Sequence, residues 1–301
     1  MNRRSFLASA MAGSVSLLTV SPALAMSPST RQIPSTDIAI PAVGLGTWIT
    51  FNVGNDPVLL ERSTNVIRVF VEEGGGMIDS SPMYGSAQET LGHGLSELRN
   101  PKNVFTADKV WTRSPDEGPA QLADTRQKWG VDQFDLVQVH NLVAADAHLE
   151  MLFDRKAAGE IGYVGITTSH GRRHSAMEDL MRRYPLDFVQ LTYNVADLEA
   201  EARLLPLAQE RGIGVIVNRP FRRGELTSRT GSAPLPGFAA DLGAESWAEL
   251  MLKFILSHPA VTVAIPATTN SEHVRQNKRA ARTEMPDAAL REAIRTAVSL
   301  V

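Results

Sequence analysis

The chain has 301 residues, a formal net charge of -3 and 43% hydrophobic residues, enough for one domain with a sizeable core. It has no cysteine, which excludes disulfides, zinc thiolates and a thiol nucleophile. No basic run is long enough to point to nucleic acid.

The N-terminus reads as a targeting segment. Arg3-Arg4-Ser5-Phe6-Leu7 precedes an apolar, small-residue run over 8–20, and Ala23-Leu24-Ala25 ends it in a small-x-small pattern. Charge, apolar core and cleavage pattern stand in the order of a signal peptide. The paired arginines match the twin-arginine export signal, whose machinery carries folded proteins. The apolar run is too short and too rich in Gly and Ser to span a membrane comfortably, and no stable membrane insertion is expected once it is cleaved off. The expected division is therefore a signal at 1–25, a mature domain at 26–301, and a periplasmic location.

Short apolar runs then alternate with amphipathic stretches. Residues 38–41 suit a hairpin closing a barrel floor, and a first strand is expected over 42–48. Apolar Val66, Val69 and Phe70 give a helix over 60–73, ended by Gly74 to Gly76. Further strands are expected at 77–79, 104–110, 134–139, 161–167, 188–191, 214–217 and 261–265. The helices between and after them fall at 87–98, 121–129, 147–158, 175–183, 201–211, 246–256 and 271–281. Residues 222–244 show little periodicity and read as a mobile loop.

Eight Val/Ile/Leu-rich strands, each followed by a helix, predict an α/β fold with a parallel sheet closed into a (β/α)8 TIM barrel. An open dinucleotide-binding sheet would need a third glycine after Gly44-Leu45-Gly46-Thr47-Trp48, and none follows at that offset.

Active sites of such barrels lie at the C-terminal ends of the strands. Asp79 ends the second strand, with Tyr84 in the loop after it. Lys109 ends the third and His140 the fourth. Each alone suits a turn, a structural ion pair or a packing histidine. Together they form a proton-delivery device. A nearby ammonium lowers a phenol's pKa, a carboxylate holds the ammonium, and an imidazole orients a carbonyl. His170 and His174 have helical spacing but no third ligand pattern, so no metal site is expected. Trp48, Phe51 and Trp111 follow strands one and three and suit either pocket walls or packing.

Asp79-x-x-x-x-Tyr84-Gly85, then Lys109, then His140, resembles the aldo-keto reductases, over nearly all the mature chain up to Asn277. The resemblance implies a catalytic tetrad of Asp79, Tyr84, Lys109 and His140, with Tyr84 the general acid. It implies reduction of an aldehyde or ketone to an alcohol with a nicotinamide cofactor, NADP(H) favoured over NAD(H). Cofactor contacts are expected from Gly46, Thr47, Trp48, Gln190, Phe221, Thr268, Gln276 and Asn277. Thr167 and Thr168 stand where the family carries a Ser-Asn pair. Ala267 and His273 stand where it often grips the 2′-phosphate with Lys and Arg, and Arg222 and Arg223 are candidates to supply that charge. A cofactor-binding sensor or partner subunit with the same barrel is the alternative to an enzyme. The expected partners are a small carbonyl or alcohol substrate and the twin-arginine export machinery. The cofactor would be bound before export.

Overall fold

The computed structural model describes residues 29–301, so the expected signal at 1–25 lies outside the described residues. An antiparallel hairpin comes first, β1 (Thr30–Gln32) and β2 (Ala39–Pro41). There follow β3 (Leu45–Gly46), α1 (Pro57–Glu72), β4 (Gly76–Asp79), α2 (Ala87–Glu97), β5 (Val104–Val110) and α3 (Gly118–Trp129). Next come β6 (Phe134–His140), α4 (Ala145–Ala157), β7 (Ile161–Thr167), α5 (His174–Arg183), β8 (Phe188–Thr192) and α6 (Leu204–Glu210). The chain ends with β9 (Gly214–Asn218), α7 (Glu225–Thr230), α8 (Trp247–Leu256), β10 (Val261–Ala264), α9 (Ser271–Ala280) and α10 (Ala288–Ser299).

Strands β3 to β10 pair in sequence order and all pairs are parallel. Bridges from Val43 to Ala264 and from Gly46 to Ala267 join the first of them to the last, making a barrel. The seam is tight. A Cβ on Gly44 would stand 3.0 Å from Ile265 Cγ2 across it, and 2.6 Å from the Met77 carbonyl oxygen of β4 on the other side, and one on Gly46 2.8 Å from the Ile265 carbonyl oxygen. The Gly-x-Gly pair thus serves strand packing.

Local chemistry sets the elements. Asp56 caps α1 by accepting from the Val58 and Leu59 N–H groups at 2.9 and 3.0 Å, and Pro57 occupies the first turn where no N–H is needed. Val66, Ile67, Val69 and Phe70 recur at helical spacing and are buried against the barrel. The expected floor hairpin is present. Its Ile33 and Ile40 join a buried cluster with Met77, Ala107, Leu136, Tyr163, Phe188, Ile216, Val263 and Ile265 inside the barrel.

Three expectations need correction. The segment 222–244 is folded: it carries α7 and two short 3-10 turns, and Leu226, Ala239 and Leu242 are buried. The helix expected at 201–211 splits, because Arg203 leaves helical geometry with φ -144° and Pro206 then falls in the first turn of α6. Helix α10 was not anticipated. Among the described residues, no helix is long and apolar enough to cross a membrane.

Candidate active site

Inward-facing side chains of a strand recur every second residue, and the barrel uses this to change character along its axis. Met77 on β4 belongs to the apolar floor cluster, and Asp79 is the next inward residue. Ala107 is followed by Lys109, Leu136 by Gln138 and then His140, Phe188 by Gln190, and Ile216 by Asn218. The strands therefore deliver a polar layer to the C-terminal mouth, resting on an apolar one.

Asp79 organises that layer. Its Oδ2 lies 2.6 Å from Lys109 Nζ, and its Oδ1 accepts from Gln138 Nε2 at 3.1 Å and Gln190 Nε2 at 2.8 Å. Lys109 also donates to the Ser80 carbonyl at 2.6 Å. Lys109 is 0% and Asp79 2% exposed, so the pair depends on these bonds to offset its desolvation. Gln138 was missed from the sequence, although its place two residues before His140 puts it on the same strand face.

Tyr84 and His140 stand beside this pair. Lys109 Nζ lies 5.3 Å from the Tyr84 ring centroid, and the Tyr84 and His140 rings meet edge to face at 5.7 Å. The phenol's pKa is not lowered as the sequence suggested. Burial pushes it well above its ordinary value, and the charges of Asp79 and Asp108 add to the effect. Asp79 also offsets the Lys109 charge that was expected to favour the phenolate. Burial, reinforced by Lys109, holds the His140 imidazole well below its ordinary value. Both rings are thus neutral near pH 7, and Tyr84 keeps a proton to give.

The expected cofactor residues fall into three groups. Gly46, Thr47, Thr167, Thr168 and Gln190 are buried around the strand ends, with Thr47 donating to the Asp79 carbonyl at 2.9 Å and Thr167 lying 3.4 Å from Gln190 Oε1. Thr268, Gln276 and Asn277 lie around the start of α9 and along it, and Thr268 Oγ1 is 3.2 Å from His273 Nδ1. Trp48, Phe221 and Arg222 lie in the loops after β3 and β9. Arg222 is committed to Asp197, with contacts of 2.8 and 2.5 Å, so it is not the free phosphate grip expected of it. Phe51 is fully buried and walls no pocket. Trp111 is 41% exposed and remains available at the mouth.

Residues 42–294 match the sequence model of the Aldo/keto reductase family. The chain belongs to that family. It is, with it, an NAD(P)H-dependent reductase. Methylglyoxal reductase YeaE of Escherichia coli is 26% identical over 263 residues, covering 85% of this chain and 90% of that protein. The NADH-specific methylglyoxal reductase of Escherichia coli is 26% identical, over 75% of this chain and 78% of that protein. An aldo/keto reductase of Klebsiella pneumoniae, solved with NADP and acetate, has the same fold. It aligns with a TM-score of 0.76 and 21% identity over 90% of this chain and 95% of that one.

The aldo/keto reductase barrel carries two further cations at this mouth, Arg219, which sequence reading passed over, and Arg223, which it had named. Arg219 donates to His170 Nε2, and Arg223 lies 4.0 Å over the Trp48 ring centroid. The Nε atom of Arg219 is buried without a partner, and burial and the Arg223 charge both work against its guanidinium. Neither arginine has a carboxylate within bridging distance among the described residues, whereas Arg222 between them does. This uncompensated charge at the mouth suits an anionic group such as the phosphates of a nicotinamide dinucleotide. The signal was local: three arginines, Arg219, Arg222 and Arg223, stand within five residues right after a strand.

Proposed function

We propose that this protein reduces a small aldehyde or ketone to an alcohol with NADP(H), using Tyr84 as the general acid. The observation that carries the reading is the cluster of Tyr84, Lys109, Asp79 and His140 at one barrel mouth. A nicotinamide cofactor, when bound, would supply the hydride that the carbonyl carbon receives. His140 donates an N–H to the carbonyl oxygen and orients it, and Tyr84 delivers its proton to that oxygen. Lys109 stabilises the phenolate left behind, and Asp79 holds Lys109 in place.

Arg219 and Arg223 would hold the pyrophosphate. Arg62 on α1 supports the choice of NADP(H). Its Nε donates to the Thr269 carbonyl at 2.9 Å, bringing a cation to the segment where Ala267 and His273 lack one. The names of the Escherichia coli relatives favour methylglyoxal and similar short carbonyls as substrates. The test is a panel of aldehydes and ketones, each run with NADPH and with NADH. Oxidation of NADPH by short aldehydes is expected. No turnover with any carbonyl, beside tight dinucleotide binding, would favour the sensor or partner subunit instead.

Export by the twin-arginine route, with the cofactor already bound, belongs to the same proposal. It rests on Arg3, Arg4 and the Ala23-Leu24-Ala25 ending. Replacing both arginines with lysine should retain the protein in the cytoplasm, and unchanged appearance outside it would refute the route.

A further inference from the structure

Neutral His140 exists in two tautomers, and only one can help the reaction. A proton on Nε2 leaves that atom a donor toward a carbonyl oxygen. A proton on Nδ1 would leave Nε2 a lone pair, which repels the same oxygen. Something in the protein must choose between them.

The Ser81 hydroxyl is placed to do so. Its Oγ lies 2.6 Å from His140 Nδ1, and Ser81 is 0% exposed. The same oxygen accepts from the Met83 backbone N–H at 3.3 Å. A serine hydroxyl has one proton to give. Among the described residues, His140 Nδ1 is its one acceptor. Were Nδ1 to carry the proton instead, the buried Ser81 hydroxyl would be left with an unused donor, which is costly away from water. The bond therefore runs from Ser81 Oγ–H to Nδ1, and the imidazole proton sits on Nε2. Burial and Lys109 keep the ring from taking a second proton. His140 Nε2 makes no protein hydrogen bond among the described residues, so its proton is free for a ligand.

We propose that Ser81 is a positioning residue that fixes His140 as the Nε2–H tautomer. It acts through the imidazole and does not touch the reacting atoms. The loop geometry supports this. Ser81 and Tyr84 belong to one turn, in which the Tyr84 N–H donates to the Ser81 carbonyl at 3.0 Å. The residue that sets the histidine's donor is thereby tied to the residue that gives the proton.

The inference rests on the carbonyl-reductase reading for its purpose, but its central claim can be read without turnover. Nitrogen NMR of the ¹⁵N-histidine-labelled full chain distinguishes protonated from unprotonated ring nitrogens, and His140→Gln identifies the signals. The expected result is one tautomer for His140, protonated at Nε2. Ser81→Ala should shift those signals toward a mixture of tautomers and lower kcat about tenfold, with KM little changed, as the donor-competent fraction falls. A His140 protonated at Nδ1 in the unaltered protein would overturn the proposal. So would a single Nε2–H tautomer that persists in Ser81→Ala. An unaltered protein that shows the expected tautomer but reduces no carbonyl would leave the serine's role standing and refute the reductase reading.

Discussion

The two ends of the barrel solve the same problem of turning the chain in opposite ways. At the floor, the turns after α1, α3, α4 and α6 reach positive φ through Gly74 to Gly76, Gly130, Gly159 and Gly212. Glycine does this without steric cost. At the mouth, side-chain-bearing residues are forced into the same region. Among the described residues, nine of the eleven non-glycine residues with positive φ lie in loops after β3, β6, β7 and β9, including Ile49, His170, Arg219 and Arg223. Such conformations cost of order 1–3 kcal/mol each for most residues and persist only where surroundings impose them. The interior shows the same contrast, with aromatic and aliphatic packing below and Asp79, Lys109 and His140 above. The floor holds the barrel together. The mouth gives up part of that stability to aim side chains.

The contrast breaks most visibly at Tyr84. Tyr84→Phe removes the proposed proton donor and leaves the packed ring, so kcat should fall about 10²–10⁴-fold while dinucleotide binding, followed by fluorescence titration, stays nearly unchanged. Activity close to that of the unaltered protein would remove Tyr84 from its role. At the floor the signature should invert. Ile33→Ala empties a fully buried site far from the polar layer, and urea unfolding should show a loss of about 2–5 kcal/mol with kcat within about twofold. A large drop in kcat per folded molecule would show that the two ends are coupled. Ile49 offers the finest test. It is β-branched, has φ 67° and is 61% exposed, so it bears strain with little burial in return. Ile49→Asn should stabilise the fold by about 1 kcal/mol, since asparagine tolerates this region far better. A destabilised variant would mean that the Ile49 side chain makes a stabilising contact at the mouth.

Acidity sharpens the comparison further. His140 is held below its ordinary pKa and Tyr84 above its own. The forms that the proposed mechanism uses, neutral imidazole and protonated phenol, should therefore persist below pH ~6.5 and up to pH ~10. The pH profile of kcat/KM should be flat between those values, and a limb falling off near pH 6.5 would assign a charged His140 to the free enzyme.

Much of this architecture was legible because barrel strands are buried on both faces and stand out as short apolar runs. Five of the missed or misplaced features have physical causes. Helix α7 spans Glu225–Thr230, too short to show a helical period. Helix α10 did carry a signal, since Leu290, Ile294 and Val298 recur every fourth residue behind the Asp287 cap, though only Ile294 and Val298 are buried. Pro206 set the true start of α6. Phe51 lies in a mouth loop by sequence but turns into the core. Arg222 looked as free as its neighbours until Asp197, from the loop after β8, was brought against it. The tetrad positions were readable because strand ends converge in any such barrel. The roles of Ser81 and Gln138 were not legible, because they are relations to His140 and Asp79 across strands.

The seam between β3 and β10 bears on how the molecule is born. The ring joins the first of its strands to be synthesised to the last, so no shorter piece of the chain can close it. Asp79 on β4 and Gln190 on β8 stand on opposite sides of that ring, and their 2.8 Å bond spans its interior. Contacts so distant along the chain form late in folding. Lys109, one strand over, can reach Asp79 in an open sheet, but the glutamine cannot until the ends meet. Completion of the carboxylate's hydrogen bonds and completion of the fold are then a single event, and a nascent chain still lacking β10 carries every residue of the tetrad without a finished site.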